Sequence, residues 1–304
     1  MDSFDKNKIG RLLTAMVTPF DSQGEVDYRQ AKELALALLD SGSDGVVVSG
    51  TTGESPTLSK EEKLRLFAEI KSAVGNRGVA VAGTGNNDTK ESQEVTREAE
   101  KIGVDACLLV VPYYNRPTQQ GLWEHFKNIA QSTALPCIIY NVPSRTVTSL
   151  NADTLIKLSQ IDNIVGVKEA SGDLGQIAAI IQGTREDFLV YSGNDSDTFP
   201  LLALGGYGVI SVASHLVGIQ IKGMIDKFLN GEVQEAANIH RHLLPLIHSL
   251  FIVSNPMPLK WALNYVGFPV GKPRLPLVEA DEKSVSLIKT TLKNYKIDLP
   301  IPKG

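Results

Sequence analysis

Short runs of β-branched and other apolar residues recur along the chain, roughly every 20–35 residues. The runs are Leu13–Val17, Val46–Ser49, Val79–Ala82, Ala106–Val111, Cys137–Tyr140, Ile164–Val167, Phe188–Tyr191 and Gly208–Val212. Apolar residues are nearly continuous within each run and do not alternate with polar ones. This pattern is typical of parallel strands that are buried on both faces.

The segments between the runs carry signals for helix starts and ends. Ser59 with Glu62 forms a capping box, and Asp88 with Glu91 opens a second helix in the same way. Gly103 follows the last turn of that second helix, where a left-handed residue commonly ends a helix. The chain therefore alternates strands with helices.

Eight strand–helix units of this size predict the α/β class and a closed (β/α)₈ TIM barrel with additional C-terminal helices. We expect the barrel in residues 1–218, with its eighth helix following directly. Residues 219–304 exceed what that helix needs, and they predict a C-terminal helical region packed on the barrel. A doubly wound open sheet is the structural alternative.

Charge and targeting signals limit the binding partners and the cell compartment that we expect for the protein. The 304 residues carry a formal net charge of −4 and no long basic run, which argues against nucleic acid and anionic membranes as partners. The first residues, Met-Asp-Ser-Phe-Asp, lack the basic and apolar regions of a signal peptide. We expect a cytoplasmic protein.

Two further features, the cysteines and one long uncharged stretch, predict ordinary buried parts of the fold. Cys107 and Cys137 each lie in an apolar run, which predicts buried free thiols and no disulfide. The stretch from Phe199 to Ile221 has no charged residue and is long enough to cross a bilayer. Its glycines and polar residues favour a buried helix, a turn and a buried strand.

Polar residues directly after the runs are the candidates for chemistry, because a parallel barrel has its active site at the carboxyl ends of its strands. These candidates are Thr18, Gly50–Glu54, Gly83–Gly85, Pro112–Tyr114, Tyr140–Asn141, Lys168–Glu169 and Ser192–Asp195.

Lys168 is the strongest candidate for a catalytic residue, since it ends a buried run and its side chain would enter an enclosed apolar cavity. Burial disfavours the ammonium form, and a neutral amine can attack a ketone to form an iminium that acts as an electron sink. The alternative is a surface lysine paired with Glu169. Position in the sequence alone does not separate the two.

Three other motifs could act beside it. The Tyr140 hydroxyl could serve as a general acid or base, although a core tyrosine is as plausible. The guanidinium of Arg145 suits a carboxylate, or it is simply solvated. The turn Gly50–Glu54 offers backbone N–H groups and two hydroxyls that can hold a carboxylate without a basic residue.

Several common sites are not indicated. Gly50–Glu54 lacks the lysine of a P-loop, and Gly83–Gly85 lacks the third glycine of a dinucleotide fingerprint. The histidines show no metal-ligand spacing, so we expect no metal. They are His125, His215, His240, His242 and His248. No cofactor is expected either, since an imine on Lys168 would itself be the electron sink.

Five ordered motifs resemble those of the 4-hydroxy-tetrahydrodipicolinate synthase family, also called dihydrodipicolinate synthases. They are Gly50–Ser55, Pro112–Pro117, Tyr140–Thr146, Gly166–Ala170 and Gly208–Ser211. The resemblance runs from about Gly10 to about Leu277. It implies a lyase that condenses pyruvate with L-aspartate 4-semialdehyde in lysine and diaminopimelate biosynthesis.

The resemblance also implies catalytic roles. Lys168 would form the covalent imine with pyruvate, and Tyr140, Thr51 and Tyr114 would relay protons. The tyrosine matching Tyr114 comes from the neighbouring subunit in this family. A homo-oligomer is therefore expected, usually a tetramer built as a dimer of dimers.

Substrate binding and regulation follow from the same resemblance. Thr51 and Thr52 would hold the pyruvate carboxylate, Arg145 the carboxylate of the semialdehyde, and the backbone of Gly193 and Ile210 would line the pocket.

Members inhibited by lysine have an allosteric pocket that matches six positions of this chain. These are Ser55, Lys60, Lys63, Asn87, Glu91 and Tyr113. Lys60 and Lys63 replace two histidines. Like charges at ~4–6 Å repel by ~1 kcal/mol or more, so we expect weak or absent inhibition by L-lysine.

Two other functions stay open at this point. A related Schiff-base aldolase, similar to N-acetylneuraminate lyase, would use pyruvate and a sugar-derived aldehyde, but such relatives generally lack the arginine matching Arg145. A barrel without activity, kept as a ligand sensor or scaffold, is the third possibility.

Overall fold

Eight parallel strands form a closed barrel in chain order in the computed structural model, which describes residues 9–301. The strands are β1 Leu12–Ala15, β2 Gly45–Val48, β3 Val79–Gly83, β4 Ala106–Val110, β5 Cys137–Asn141, β6 Ile164–Glu169, β7 Leu189–Ser192 and β8 Gly208–Ser211. Each strand overlaps one of the predicted runs, and β1 pairs with β8 to close the barrel. The predicted TIM barrel is confirmed.

Helices alternate with the strands and continue after β8. They are α1 Tyr28–Asp40, α2 Lys60–Val74, α3 Thr89–Ile102, α4 Gln119–Ala130, α5 Pro143–Thr146, α6 Ala152–Leu158, α7 Leu174–Gly183, α8 Thr198–Ala203, α9 Ser214–Leu229, α10 Val233–Ser249, α11 Met257–Val266 and α12 Glu282–Leu292. Both predicted helix starts are present, because Ser59 and Glu62 form a reciprocal capping box and Asp88 accepts from the Glu91 N–H.

The additional C-terminal helices are present, with α10 packed on α9 and α12. The division predicted after residue 218 falls within α9, one residue past Val217, whose backbone angles are not helical. That division stays a prediction, and both predicted segments extend beyond residues 9–301.

The barrel interior is filled by alternate residues of the strands. Ile138 and Tyr140 of β5 belong to this interior cluster, whereas Cys137 and Ile139 pack against the helices. The pairing of β5 with β6 is irregular at its start: Cys137 lies opposite Ile164, but Ile138 lies opposite Gly166. Bulges of this kind re-aim side chains and are common beside active sites.

The structure agrees with the predictions for the two cysteines and for the long uncharged stretch, within the described residues. Cys107 and Cys137 are buried free thiols on adjacent strands. The stretch from Phe199 to Ile221 covers most of α8, all of β8 and the first half of α9. No helix in residues 9–301 has both the length and the apolar character to cross a membrane. Residues 1–5, which carried the signal-peptide argument, lie outside the described residues.

His215 joins the carboxyl ends of β1 and β8. Its Nδ1 donates to the Val212 carbonyl at 2.9 Å, and its Nε2 accepts the Val17 N–H at 3.2 Å. This arrangement needs the neutral ring, since a protonated ring cannot accept. Burial accordingly lowers the pKa of His215 to about 4.

We expect His215 to make the fold sensitive to acid. Below a pH of about 6.5 an unfolded histidine binds a proton that the native ring refuses until about 4, so stability falls as the pH falls through this window. The shift corresponds to about 3 kcal/mol. Urea unfolding of His215→Leu should show a flatter loss of stability between these pH values, from a lower starting stability at neutral pH.

The exposed His248 supplies the matched control, and His248→Gln should keep the native pH dependence. An unchanged acid slope in His215→Leu would contradict the prediction. His125 has a pKa that burial lowers to about 4 as well, so part of the slope remains in both variants.

Candidate active site

A cavity of about 270 Å³ opens at the carboxyl ends of the strands, where the sequence places the candidate chemistry. Thr51, Tyr140 and Arg145 line this cavity, which brings together three of the predicted catalytic and substrate-binding residues. The side chains of Leu108 and Val142 form apolar parts of the cavity wall. The cavity therefore combines hydroxyls and two basic side chains, Arg145 and Lys63, with a largely apolar surface.

Lys168 lies inside the barrel next to Tyr140. The two residues are partners across β5 and β6, and the Lys168 Nζ is 4.3 Å from the centre of the Tyr140 ring. Only 4% of Lys168 is exposed. Burial lowers the pKa of Lys168 to about 8; Asp195 opposes this shift and Arg145 adds to it.

Glu169 is not the partner of Lys168, because it points to the opposite side of β6. Its carboxylate accepts from the Asn141 amide at 3.0 and 3.1 Å, from the Ser171 N–H at 2.8 Å and from the Gln176 amide at 3.3 Å. No carboxylate in residues 9–301 forms an ion pair with Lys168. The alternative of a surface lysine paired with Glu169 is therefore wrong.

Asp195 is a buried acid in the field of Lys168. Its carboxylate accepts a hydrogen bond from the Ser211 hydroxyl and from the N–H groups of Val212 at 2.9 Å and Ala213 at 3.2 Å. Burial raises the pKa of Asp195, and these donors and Lys168 lower it in part. A fixed carboxylate at this place stabilises positive charge that forms on the Lys168 nitrogen.

Tyr140 is suited to hold a proton near neutral pH. Burial raises the pKa of its hydroxyl, while Arg145 and a hydrogen bond with Thr51 lower it in part. The phenol is thus neutral and is linked to a second hydroxyl. Two neutral hydroxyls beside a buried amine can pass protons without adding a permanent charge to the cavity.

The turn after β2 is held in a fixed conformation. The Thr18 hydroxyl donates to the Gly53 carbonyl at 2.7 Å, and Glu54 has a left-handed φ of 57°. Glu54 can keep this backbone because its side chain forms an ion pair with Lys260, Oε1 to Nζ at 2.6 Å. Thr52 is 3% exposed and accepts a hydrogen bond from the Asn255 amide at 2.9 Å.

Arg145 stands in the short helix α5 at the edge of the cavity. One guanidinium nitrogen donates to the Asn255 carbonyl at 3.2 Å, and the side chain is otherwise exposed. The guanidinium lowers the pKa of both Lys168 and Tyr140. Arg145 can therefore attract a carboxylate and at the same time favour the neutral form of the Lys168 amine.

Tyr114 does not reach the cavity of its own chain. It is 89% exposed and has a left-handed φ of 73°. Of the four predicted catalytic residues, the single chain brings Lys168, Tyr140 and Thr51 together and leaves Tyr114 on the outside.

The other predicted pocket residues have defined places. Ile210 is fully buried in the barrel interior. The Gly193 N–H donates to the Glu169 carbonyl at 2.7 Å, and a Cβ on Gly193 would lie 2.6 Å from the Ala170 Cβ. The roles of Gly193 and Ile210 stay predictions.

Three of the positions predicted for the allosteric pocket line the same cavity: Ser55, Lys63 and Tyr113. Burial lowers the pKa of Lys63, and Glu91 opposes this shift. Of the two lysines that replace histidines, Lys63 is therefore the one that places a basic side chain at the cavity.

The remaining predicted positions lie beside it. Lys60 is turned toward Glu94, at 3.6 Å, on the protein surface. The Asn87 amide donates to the Tyr113 carbonyl at 3.1 Å, which fixes the backbone of that tyrosine. The regulatory role of all six positions stays a prediction.

Sequence reasoning missed Asn255 and Lys260, which contact the site from far along the chain. Asn255 is 203 residues from Thr52. No local pattern marks an asparagine or a lysine in a loop and a helix of this kind as part of a barrel mouth. Asp195 was within a candidate segment, but nothing distinguished it from its neighbours.

The described residues contain no cluster of three histidine, cysteine, aspartate or glutamate side chains that could hold a metal ion. His215 and His125 are engaged with Val212 and Thr89 respectively.

Comparisons with known proteins are consistent over nearly the whole chain. The model of the dihydrodipicolinate synthetase family matches residues 8–295. A 4-hydroxy-tetrahydrodipicolinate synthase of Dehalococcoides mccartyi is 67% identical over 294 residues, which are 97% of this chain and 99% of that protein.

Solved structures agree with these matches. The DHDPS of Cyanidioschyzon merolae with lysine bound is 46% identical with a TM-score of 0.93, covering 94% of this chain and 98% of that one. A dihydrodipicolinate synthase of Bacillus anthracis is 44% identical with a TM-score of 0.92, covering 97% and 99%.

We expect the reactivity of Lys168 to follow its lowered pKa. The neutral fraction of the amine should fall about tenfold per pH unit below about 8. The rate at which borohydride traps an imine with a small 2-oxo acid, followed by mass spectrometry, should therefore show an inflection near that pH. Tyr140→Phe should lower the rate but keep the inflection, and an inflection near that of a free lysine would contradict the prediction.

Proposed function

The chain belongs to the dihydrodipicolinate synthetase family, and we propose that it condenses pyruvate with L-aspartate 4-semialdehyde through an imine on Lys168. The product is 4-hydroxy-tetrahydrodipicolinate, in the biosynthesis of lysine and diaminopimelate. The observation that carries the role of Lys168 is a buried amine with a pKa of about 8 beside the Tyr140 ring. The relatives' high identity supports the substrates.

The first steps follow from the chemistry of the amine. Neutral Lys168 attacks the keto carbon of pyruvate, and the carbinolamine loses water to give an iminium. The iminium withdraws electrons from the neighbouring methyl carbon, which loses a proton to the hydroxyl relay and attacks the aldehyde carbon of the semialdehyde. The amino group of the semialdehyde then attacks the imine carbon, which closes the ring and releases Lys168 as the neutral amine. The carboxylate of Asp195 stabilises the cationic nitrogen in this sequence.

Protons move through neutral hydroxyls in this proposal. Tyr140 donates to the departing water and to the developing alkoxide, and Thr51 is its hydrogen-bonded neighbour. The third member is the partner subunit's Tyr114, and the exposure of this residue in the single chain supports that origin. The working form is then at least a tight dimer and, in the full assembly, a tetramer built as a dimer of dimers.

Two carboxylates are bound by two different devices. Thr51 and Thr52 hold the carboxylate of pyruvate with hydroxyls and the N–H groups of their turn. Arg145 holds the carboxylate of the semialdehyde. Gly193 and Ile210 line the pocket through their backbone.

The proposal requires no cofactor, since the iminium on Lys168 is itself the electron sink. Its setting is the cytoplasm, where the two unpaired thiols Cys107 and Cys137 would stay reduced. A sugar-derived aldehyde is less favoured as second substrate. Arg145 in the cavity wall and the named relatives both support the amino-acid-derived aldehyde.

The test is covalent trapping. Treatment of the native chain with pyruvate and borohydride should add one reduced three-carbon unit, and peptide mapping should locate it at Lys168. Lys168→Ala should lose the adduct and the condensation together. A native chain of unmodified mass would refute the imine.

Arg145→Ala should separate the two substrates. The variant should still form the pyruvate imine at a rate within a few-fold of native, whereas condensation with aspartate semialdehyde should fall by about a hundredfold, as expected for the loss of a charge-assisted carboxylate contact. Equal losses in both reactions, measured by trapping and by a coupled assay, would mean that Arg145 does not select the second substrate.

Feedback inhibition by L-lysine should be weak or absent, because Lys63 places a cation at the cavity where a cationic effector would sit. A coupled assay at saturating pyruvate should keep most of its initial rate in millimolar L-lysine. Lys63→Gln removes the charge and should increase any inhibition. A native enzyme that loses half its rate in millimolar lysine would contradict this prediction.

A further inference from the structure

Two parts of the C-terminal region reach the turn after β2. One is Arg274, whose main-chain N–H donates to the Glu54 carboxylate at 2.8 Å. The other is the segment from Asn255 to Lys260, called the brace segment below. It contains the turn before α11 and the first residues of that helix. Both its ends touch groups of the site, although the other site residues lie at the ends of the barrel strands or in the loops and helices that follow them.

The first end, Asn255, contacts two residues that hold different substrates in the proposed function. Its side-chain amide donates to the Thr52 hydroxyl oxygen at 2.9 Å. Its main-chain carbonyl accepts from the Arg145 guanidinium at 3.2 Å. Asn255 is 4% exposed, so water does not compete strongly for these bonds. One residue therefore fixes the spacing between the two carboxylate-binding groups.

The contact with Thr52 also fixes the direction of a hydrogen bond. The nitrogen of an asparagine amide can only donate, so the Thr52 oxygen acts as acceptor toward Asn255. The single proton of that hydroxyl is then free to be donated elsewhere. A carboxylate in the cavity accepts hydrogen bonds only, and this is the polarity that it needs.

The second end, Lys260, holds the brace segment against the same turn. Lys260 and Glu54 form an ion pair at 2.6 Å with both side chains 1% exposed. The Lys260 Nζ also donates to the Lys272 carbonyl at 3.2 Å and lies 4.0 Å from the centre of the Phe20 ring. Removing one partner of a buried pair leaves an uncompensated charge, so this contact fixes Glu54 firmly.

We propose that Asn255 is a positioning residue for the condensation: it orients the Thr52 hydroxyl toward the pyruvate carboxylate and sets its distance from Arg145. The brace segment thereby makes the C-terminal helical region part of the active site. This inference rests on the proposed function.

The test is a pair of substitutions at one position. In Asn255→Asp the side chain keeps its shape, but a carboxylate can only accept. It accepts a hydrogen bond from the Thr52 hydroxyl and adds a negative charge near the substrate carboxylate. The KM for pyruvate should rise at least tenfold, with kcat changed by less than threefold. Asn255→Ala leaves the Thr52 hydroxyl free to rotate, and its KM should rise about threefold.

Comparing the KM values of the two variants shows whether Asn255 orients the Thr52 hydroxyl or only fills space. A residue that only fills space would tolerate the isosteric aspartate better than alanine, whereas the proposal requires aspartate to be worse. An unchanged KM in Asn255→Asp would overturn the inference, because Thr52 would then donate to residue 255 in place of pyruvate without any loss of pyruvate binding. If the aspartate variant does not fold, an unchanged KM in Asn255→Ala overturns it.

Lys71→Met is the control for a loss of stability away from the site. Lys71 and Asp105 form an ion pair of the same 2.6 Å length at the opposite end of the barrel, before β4. This variant should lose stability with the KM for pyruvate unchanged. Borohydride trapping with pyruvate is run on every variant. A native chain without an adduct would refute the proposed function, and a native adduct with a normal KM in Asn255→Asp would refute this inference alone.

Discussion

The site depends on keeping one amine, that of Lys168, out of water. An ammonium loses several kcal/mol of hydration on burial, and without an ion pair the group loses its proton more easily. Lys168 is surrounded by barrel strands and the Tyr140 ring, with Asp195 acting only through its field. The balance leaves a pKa of about 8, which suits the proposed role of Lys168 as an amine that forms an imine.

Arg145 takes part in the same balance. Its charge attracts a carboxylate to the cavity and at the same time favours the neutral form of Lys168. In the proposed reaction, binding of the semialdehyde carboxylate to Arg145 would partly neutralise that charge. Lys168 would then be most reactive before the second substrate arrives, and its cationic imine would be less repelled afterwards.

The sequence was sufficient for the barrel and for the residues at the strand ends. Buried parallel strands have a continuous apolar signature, and the location of active sites at their carboxyl ends is a general rule. Lys168 and Tyr140 follow from these two facts. The sequence could not decide whether Lys168 pairs with Glu169 at the surface or points into the barrel interior. The direction of this side chain depends on the pairing between β5 and β6. Asn255 and Lys260 were missed because their contacts join distant parts of the chain.

The irregular pairing of β6 has a consequence for how this barrel acquires its chemistry. Val165 has no partner on β5, so two successive residues, Val165 and Gly166, lie on the inner side. A regular strand with the same residues would alternate without interruption from Ile164. It would turn Lys168 outward to the helices and present Glu169 to the substrate. An acid or a nucleophile at the barrel mouth is thus chosen by the odd or even number of residues upstream as much as by the side chains themselves.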